Sequence, residues 1–422
     1  MLKKTIMLFV FMLVLPFANK TNAAENLQQL IDEAPINSVL TLKAKTYAGP
    51  VLINKPLTII GVEGTVIESK TTGISIEKTA DVKLENITFK TVQQPIFANE
   101  VIGLTLSKLT FSLQDEGVEL RKMNQLVIEH NYMTGLKEAH FSKKPNGYEI
   151  YESKGIQIDN VKVQNVQDGL YFERIENIKV TNTISESGRY GLHFMYGSEV
   201  TLQYNTVSNN VTGLMLMIIN QLDVSYNTVL RQLALNSNGL YLYDVQQATI
   251  QQNDFFENTV ATVWNRVSDT TFEHNLFQSN GTVFEAEKSP AVEVRNNIFN
   301  GNILVARSDK AGFILENNMY DDYDGYDFDG NGIGDTPHQT YTSFGQWMVR
   351  KPVYQYFIES PSVVLLNKMD HETETTDTAL LVDPLPKIAT LNTNLQREIV
   401  WWQLILGFSS IVLISFGWRK LQ

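Results

Sequence analysis

Between Gly169 and Leu230 one phrase is written three times: GLYFERIENIKVTNTI from Gly169, GLHFMYGSEVTLQYNTV from Gly191 and GLMLMIINQLDVSYNTV from Gly213. The glycines recur every 22 residues, and each copy closes with an Asn after an apolar-x-apolar step. A fixed period of that length, carried by strand-like segments, describes stacked coils and not a closed globule. Side chains alternate along a strand, so Leu170, Leu192 and Leu214 fall in one inward column and Phe172, Phe194 and Leu216 in a second. The fold expected is all-β, a right-handed parallel β-helix with coils of about 22 residues.

The period extends well beyond the three copies. Anchor positions fall at Asn86, Lys108 (an Asn-type site filled by Lys), Asn131, Asn160, Asn182, Asn205, Asn227, Asn253, Asn275, Asn297 and Asn318. Asn tolerates the left-handed turn conformation, and stacked Asn side chains can hydrogen-bond as a ladder, so these residues are read as structural. The long Asn131–Asn160 interval holds a polar insertion, Ala139–Gly155. An amphipathic piece, Leu27–Ala34, precedes the first strands and serves as the cap a solenoid needs.

The flanking segments set the topology. Lys3 and Lys4, the apolar run Ile6–Phe17 and the small residues Ala23 and Ala24 form a secretory signal over residues 1–24. The β-helix with its cap is placed at 25–320, and an Asp/Gly loop, a short helix at Ser360–Met369 and a linker at 321–398. Ile399–Trp418 is uncharged, bounded by Trp401, Trp402 and Trp418, and followed by Arg419 and Lys420. It reads as a transmembrane anchor with a cytoplasmic tail, against the alternative of a buried helix. The β-helix would then stand on the extracytoplasmic face of the membrane.

Composition narrows the chemistry. A net charge of −12 argues against nucleic acid, whose phosphates need clustered cations. With no Cys in the chain, there is no thiolate ligand or nucleophile. On the outward faces of the repeated strands, Tyr171, His193, Met215 and Tyr241 form one column, and Glu173, Met195, Met217 and Tyr243 the next. Rungs lie about 4.8 Å apart, so His193, Met195, Met215 and Met217 are near enough to share one ion. Thioether with imidazole favours Cu(I); the alternative is an apolar docking surface of flexible Met with Tyr171, Tyr241 and Tyr243. A second motif, Asp327, Asp329, Asn331, Gly332 and Asp335, spells D-x-D-x-N-G-x-x-D, with the Ile333 carbonyl as a further oxygen. It reads as a calcium-type loop or as a solvated acidic turn. Asp159, Asp168, Glu173, Glu176 and Asp223 are scattered over several coils, which gives no paired-carboxylate site for sugar cleavage, and the chain is read as a non-enzyme.

At SGRYGLHFMY (Ser187–Tyr196), DGYDFDGNGIGDTPH (Asp324–His338) and VDPLP (Val382–Pro386) the chain resembles the NosD family. The resemblance covers residues 25–388. It implies a secreted β-helix of the carbohydrate-binding-and-hydrolase (CASH) type, working with an ABC-type ATPase and permease to mature the copper centres of nitrous oxide reductase. It further implies transient copper, a copper chaperone or the reductase itself as partner, and Arg189, His193 and Met195 as members of a characteristic motif, Arg189 at a docking surface. The C-terminal span departs from the soluble periplasmic pattern of the family. The competing reading is a cell-surface protein that binds or cleaves carbohydrate.

Overall fold

The computed structural model describes residues 26–91, 93–309, 311–339, 352–357, 360–370 and 381–388; the expected signal (1–24) and anchor (399–418) lie outside these. Among the described residues no helix is long and apolar enough to cross a membrane. The chain winds into a parallel β-helix in which an 18-stranded and a 13-stranded parallel sheet wrap one continuous core. Long strands such as Asp168–Thr181 and Tyr190–Gln203 serve two faces each, because left-handed residues bend them midway: Arg174 (φ 54°) and Asn177 (φ 53°) in the first, Tyr196 (φ 59°) and Glu199 (φ 54°) in the second.

The register is the one the repeat predicts. Leu170, Leu192, Leu214 and Leu240 pair in succession and are fully buried, as are Phe172, Phe194, Leu216 and Leu242. Phe172 stacks on Phe194 with ring centroids 4.2 Å apart. The glycine of each copy has a steric cause. A Cβ on Gly191 would lie 2.5 Å from the Gly213 carbonyl oxygen, and one on Gly213 would lie 2.6 Å from that of Gly239. No side chain fits where one coil's corner runs that close to the next.

The anchor positions resolve into two adjacent columns that the sequence reading merged. Asn205, Asn227, Asn253, Asn275, Asn297 and Asn318 are buried and form the ladder. Each of Asn227, Asn253, Asn275, Asn297 and Asn318 accepts, through its Oδ1, the backbone N–H and the amide N–H of its neighbour one coil back, at 2.9–3.1 Å. None of these six is the left-handed residue, which is the one before: Tyr204, Tyr226, Gln252, His274, Asn296 and Asn317 all have φ between 53° and 58°. Asn86, Asn160 and Asn182 belong to that left-handed column. Spacing distinguishes the two: Asn182 follows Val180 by two residues, whereas Asn205 follows Leu202 by three. A second ladder, Asn210, Gln232, Asn258, Asn280 and Asn302, runs along another corner, with the backbone N–H bond at every step and the amide bond as well from Asn258 onward.

Both ends are closed. The helix Leu27–Glu33, N-capped by Asn26, buries Leu27 and Ile31 over the first coils. At the other end Asp383 is completely buried and takes the place of the next asparagine, accepting from the backbone and amide nitrogens of Asn318 and from the Tyr320 hydroxyl at 3.0 Å. His338 stacks face to face on Tyr320 at 3.7 Å, and His338–Gln339 pairs antiparallel with Val382–Asp383. The short helix forms at Pro361–Asp370. The insertion is narrower than expected. Tyr148–Asp159 is a full rung of the helix, so the extra loop lies between Thr134 and Tyr148.

Leu214→Ala should cost about 2–5 kcal/mol through the cavity it leaves, read as a shift in the denaturation midpoint. Asn253→Leu orphans the buried backbone N–H of Asn227 and takes the Asn253 amide donors from the Val224 carbonyl and Asn275 Oδ1, each buried group left unpaired costing about 1–3 kcal/mol. A loss of at least about 2 kcal/mol is expected by the same measurement.

Candidate functional site

One outward face of the long strands carries the chemistry. Rung by rung it reads Glu149, Tyr171, His193, Met215 and Tyr241 in one column and Tyr151, Glu173, Met195, Met217 and Tyr243 in the next. The eight residues expected on this face, Tyr171 to Tyr243, are therefore direct cross-strand neighbours. His193 pairs with Met215 and Met195 with Met217. The three methionines are half-buried and His193 is 7% exposed.

His193 sits in a polar clamp beneath this surface. Asp168, 1% exposed, accepts a bidentate pair from Arg189, Nε to Oδ1 at 2.8 Å and Nη2 to Oδ2 at 2.7 Å. His193 Nδ1 lies 2.9 Å from the same Oδ2. Burial works to raise the Asp168 carboxyl, but the hydrogen bonds from His193 and Arg189 outweigh it and hold the group below the usual carboxylate range. The rings of Tyr171 and Tyr190 meet the imidazole edge-on, at 4.9 and 4.8 Å, and the Arg189 guanidinium lies over Tyr190. Tyr171 donates to Glu173 at 3.0 Å and touches the Met195 sulfur at 3.7 Å. Burial, with Glu173 beside it, pushes the Tyr171 phenol up to about 12, so the hydroxyl remains a donor.

Sequence reasoning placed His193 and the methionines but left out their support. Asp168, by sequence one of several scattered carboxylates, stands immediately before Gly169 in the column of Tyr190. Arg189, expected at a docking surface, turns its guanidinium onto Asp168. Tyr243 lies under the Arg266 guanidinium at 4.3 Å, and Tyr241 is half-buried beside Met215. Glu149 was hidden by the misplaced insertion. It accepts from Asn146 and Tyr151 at 2.8 and 3.2 Å, and burial raises its carboxyl above the usual range.

The acidic loop is built around its own backbone. Asp327 accepts from the backbone nitrogens of Gly330, Asn331 and Gly332, Asp329 from Asn331, and Asp335 from Phe328. Asn331 Oδ1 takes the Ile333 N–H. Among the described residues no group of His, Asp or Glu gathers to hold a metal ion. The calcium expectation at Asp327, Asp329, Asn331, Ile333 and Asp335 is thus not supported, and the loop's carboxylates serve as acceptors for its own backbone. The loop docks on the end cap instead, with Gly334 N–H donating to the Pro386 carbonyl and Ile388 N–H to that of Gly332. Asp327→Ala should loosen 326–335 to the same degree with and without Ca²⁺, measured as hydrogen-exchange protection.

Among curated proteins none matches the chain. Solved structures with related architecture include the catalytic unit of a thermostable GH87 α-1,3-glucanase from Streptomyces thermodiastaticus, at 13% identity and TM-score 0.50, covering 68% of this chain and 64% of that one. A GH136 lacto-N-biosidase from Eubacterium ramulus (10% identity, TM-score 0.44, 68% of this chain and 62% of that one) is also similar. So is PfbA, a surface adhesin of Streptococcus pneumoniae (11%, TM-score 0.46, 65% and 86%). The chain thus spans less than two thirds of the glucanase unit and the biosidase, and at these identities the likeness is one of fold alone. The sequence itself matches a family model over residues 136–331, a stretch that holds the clamp, the methionines and most of the acidic loop. Over that stretch the sequence matches the model of the NosD family, described as periplasmic copper-binding protein.

Proposed function

We propose that the protein is an extracytoplasmic accessory factor that takes up and relays copper during maturation of nitrous oxide reductase. In this reading it acts beside an ABC-type permease and ATPase, receives the ion from a copper chaperone or passes it to the reductase, and is held to the membrane by residues 399–418. The family's copper-binding description supports the ion. The observation that carries the reading is the register pairing of His193 with Met215 and of Met195 with Met217 on one half-buried face.

The donor set fits the cargo. The chain has no Cys, and thioether sulfur with a neutral imidazole suits soft Cu(I) better than harder divalent ions. Uncharged ligands at a partly exposed site also suit transfer, since the ion has to leave as readily as it enters. The tyrosines and methionines around the ligands supply an adaptable apolar surface on which a partner can seat. No catalytic step is required of such a protein, and the reading is of an accessory and not of an enzyme.

The competing carbohydrate reading draws on Glu149, a carboxyl raised by burial beside the neighbouring rings of Tyr151 and Tyr171. Glu149→Gln separates the two: it should abolish glycan binding or cleavage if that reading holds, and leave Cu(I) binding unchanged if copper handling does.

The triple change Met195→Leu, Met215→Leu and Met217→Leu keeps volume and apolar character while deleting every thioether donor, at a usual packing cost below about 1.5 kcal/mol per site. Competition against a chromophoric chelator should show Cu(I) binding lost while partner assembly persists. Unchanged Cu(I) affinity would reject ligation and leave docking as the role of the face. For the anchor, truncation after Ile388 retains the Asp383 cap and should release the protein from membranes; a truncated chain that still sediments with them would place the anchor elsewhere.

A further inference from the structure

Asp168 is more deeply buried than a surface ion pair requires, and its partners are unequal. Arg189 is purely a donor and occupies both carboxylate oxygens from one side. From the other side Oδ2 meets His193 Nδ1 at 2.9 Å. An ionised carboxylate can only accept, so the nitrogen facing it has to carry a proton. In a neutral imidazole that leaves the lone pair on Nε2. The edges of Tyr171 and Tyr190 confine the ring, and its cross-strand neighbour is Met215.

We propose that Asp168 and Arg189 are a positioning pair that locks His193 in the Nδ1–H tautomer, so that Nε2 is offered as the nitrogen ligand beside the methionines. Asp168 sets the tautomer and Arg189 keeps Asp168 ionised and oriented; neither touches the ion. The purpose of the lock rests on the copper reading above, but the lock itself does not. Carboxylate partners of this kind fix the orientation of ligating imidazoles and raise their basicity. A purely structural contact would need the same tautomer, so the readout that separates the two roles is the Cu(I) affinity of a folded Asp168→Asn.

The test is a two-bond proton–nitrogen correlation spectrum of the metal-free full-length protein labelled with ¹⁵N-histidine, recorded at pH 8. His193 is assigned by the signal lost in His193→Gln. A single Nδ1–H tautomer is expected. In Asp168→Asn the amide can donate to Nδ1, so the ring should change to Nε2–H and Cu(I) affinity should fall about 10- to 100-fold. Arg189→Lys keeps the charge but loses the fork, and should give a mixture of tautomers with a smaller loss. An Nε2–H, doubly protonated or averaged His193 in the unmodified protein overturns the proposal. So does unchanged Cu(I) affinity in a folded Asp168→Asn. If Asp168→Asn does not fold, the unmodified spectrum and Arg189→Lys decide the matter. A locked Nδ1–H ring in a protein that binds no Cu(I) would sustain the lock and overturn the copper reading alone.

Discussion

The structure depends on one repeated geometric demand: each coil must lie directly over the last, in register, for its whole length. Backbone ladders supply most of the bonding, but bare backbone has no means of choosing a register. The asparagine columns make that choice. An Oδ1 that accepts both a neighbour's backbone N–H and its amide N–H can do so in one alignment, and the bond is buried, so a slip would orphan two donors in a dry core. Two such ladders run along separate corners. The glycine column acts in the same sense by exclusion, since any side chain at Gly191 or Gly213 would strike the next coil's carbonyl.

Function follows from that register. Residues about 22 apart in sequence become direct cross-strand neighbours, and His193, Met195, Met215 and Met217 collect on one face without any of them being close in the chain except within a strand. The same stacking places Asp168 one rung below His193, where a carboxylate can hold the imidazole. A flat sheet face would ordinarily leave a histidine free to rotate. Here Asp168, Tyr171 and Tyr190 surround it.

The far end of the solenoid joins two motifs that are well separated in the sequence. DGYDFDGNGIGDTPH and VDPLP read as separate signals, one of them metal-like. In three dimensions they are a single device. Asp383 completes the asparagine ladder, His338 stacks on Tyr320, and the acidic loop fastens itself to the strand that carries Asp383. The carboxylates at Asp327 and Asp335 accept backbone N–H groups where the loop turns sharply around them.

The sequence alone determined the coil period, the inward columns and the membership of the outward face, because a strand's two-residue alternation and a fixed 22-residue step leave a single way to superpose the copies. It also located the N-terminal cap and the short C-terminal helix. It did not separate the left-handed column from the ladder column: Asn suits both, and only a one-residue difference in spacing, Val180–Asn182 against Leu202–Asn205, divides them. Nor did it find the start of the rung at Tyr148, the clamp of Asp168 and Arg189 on His193, or the burial of Asp383. Those were decided by tertiary structure, for a common reason. Each depends on which side chain lies across a corner or between rungs, which the two-residue alternation along a strand does not specify.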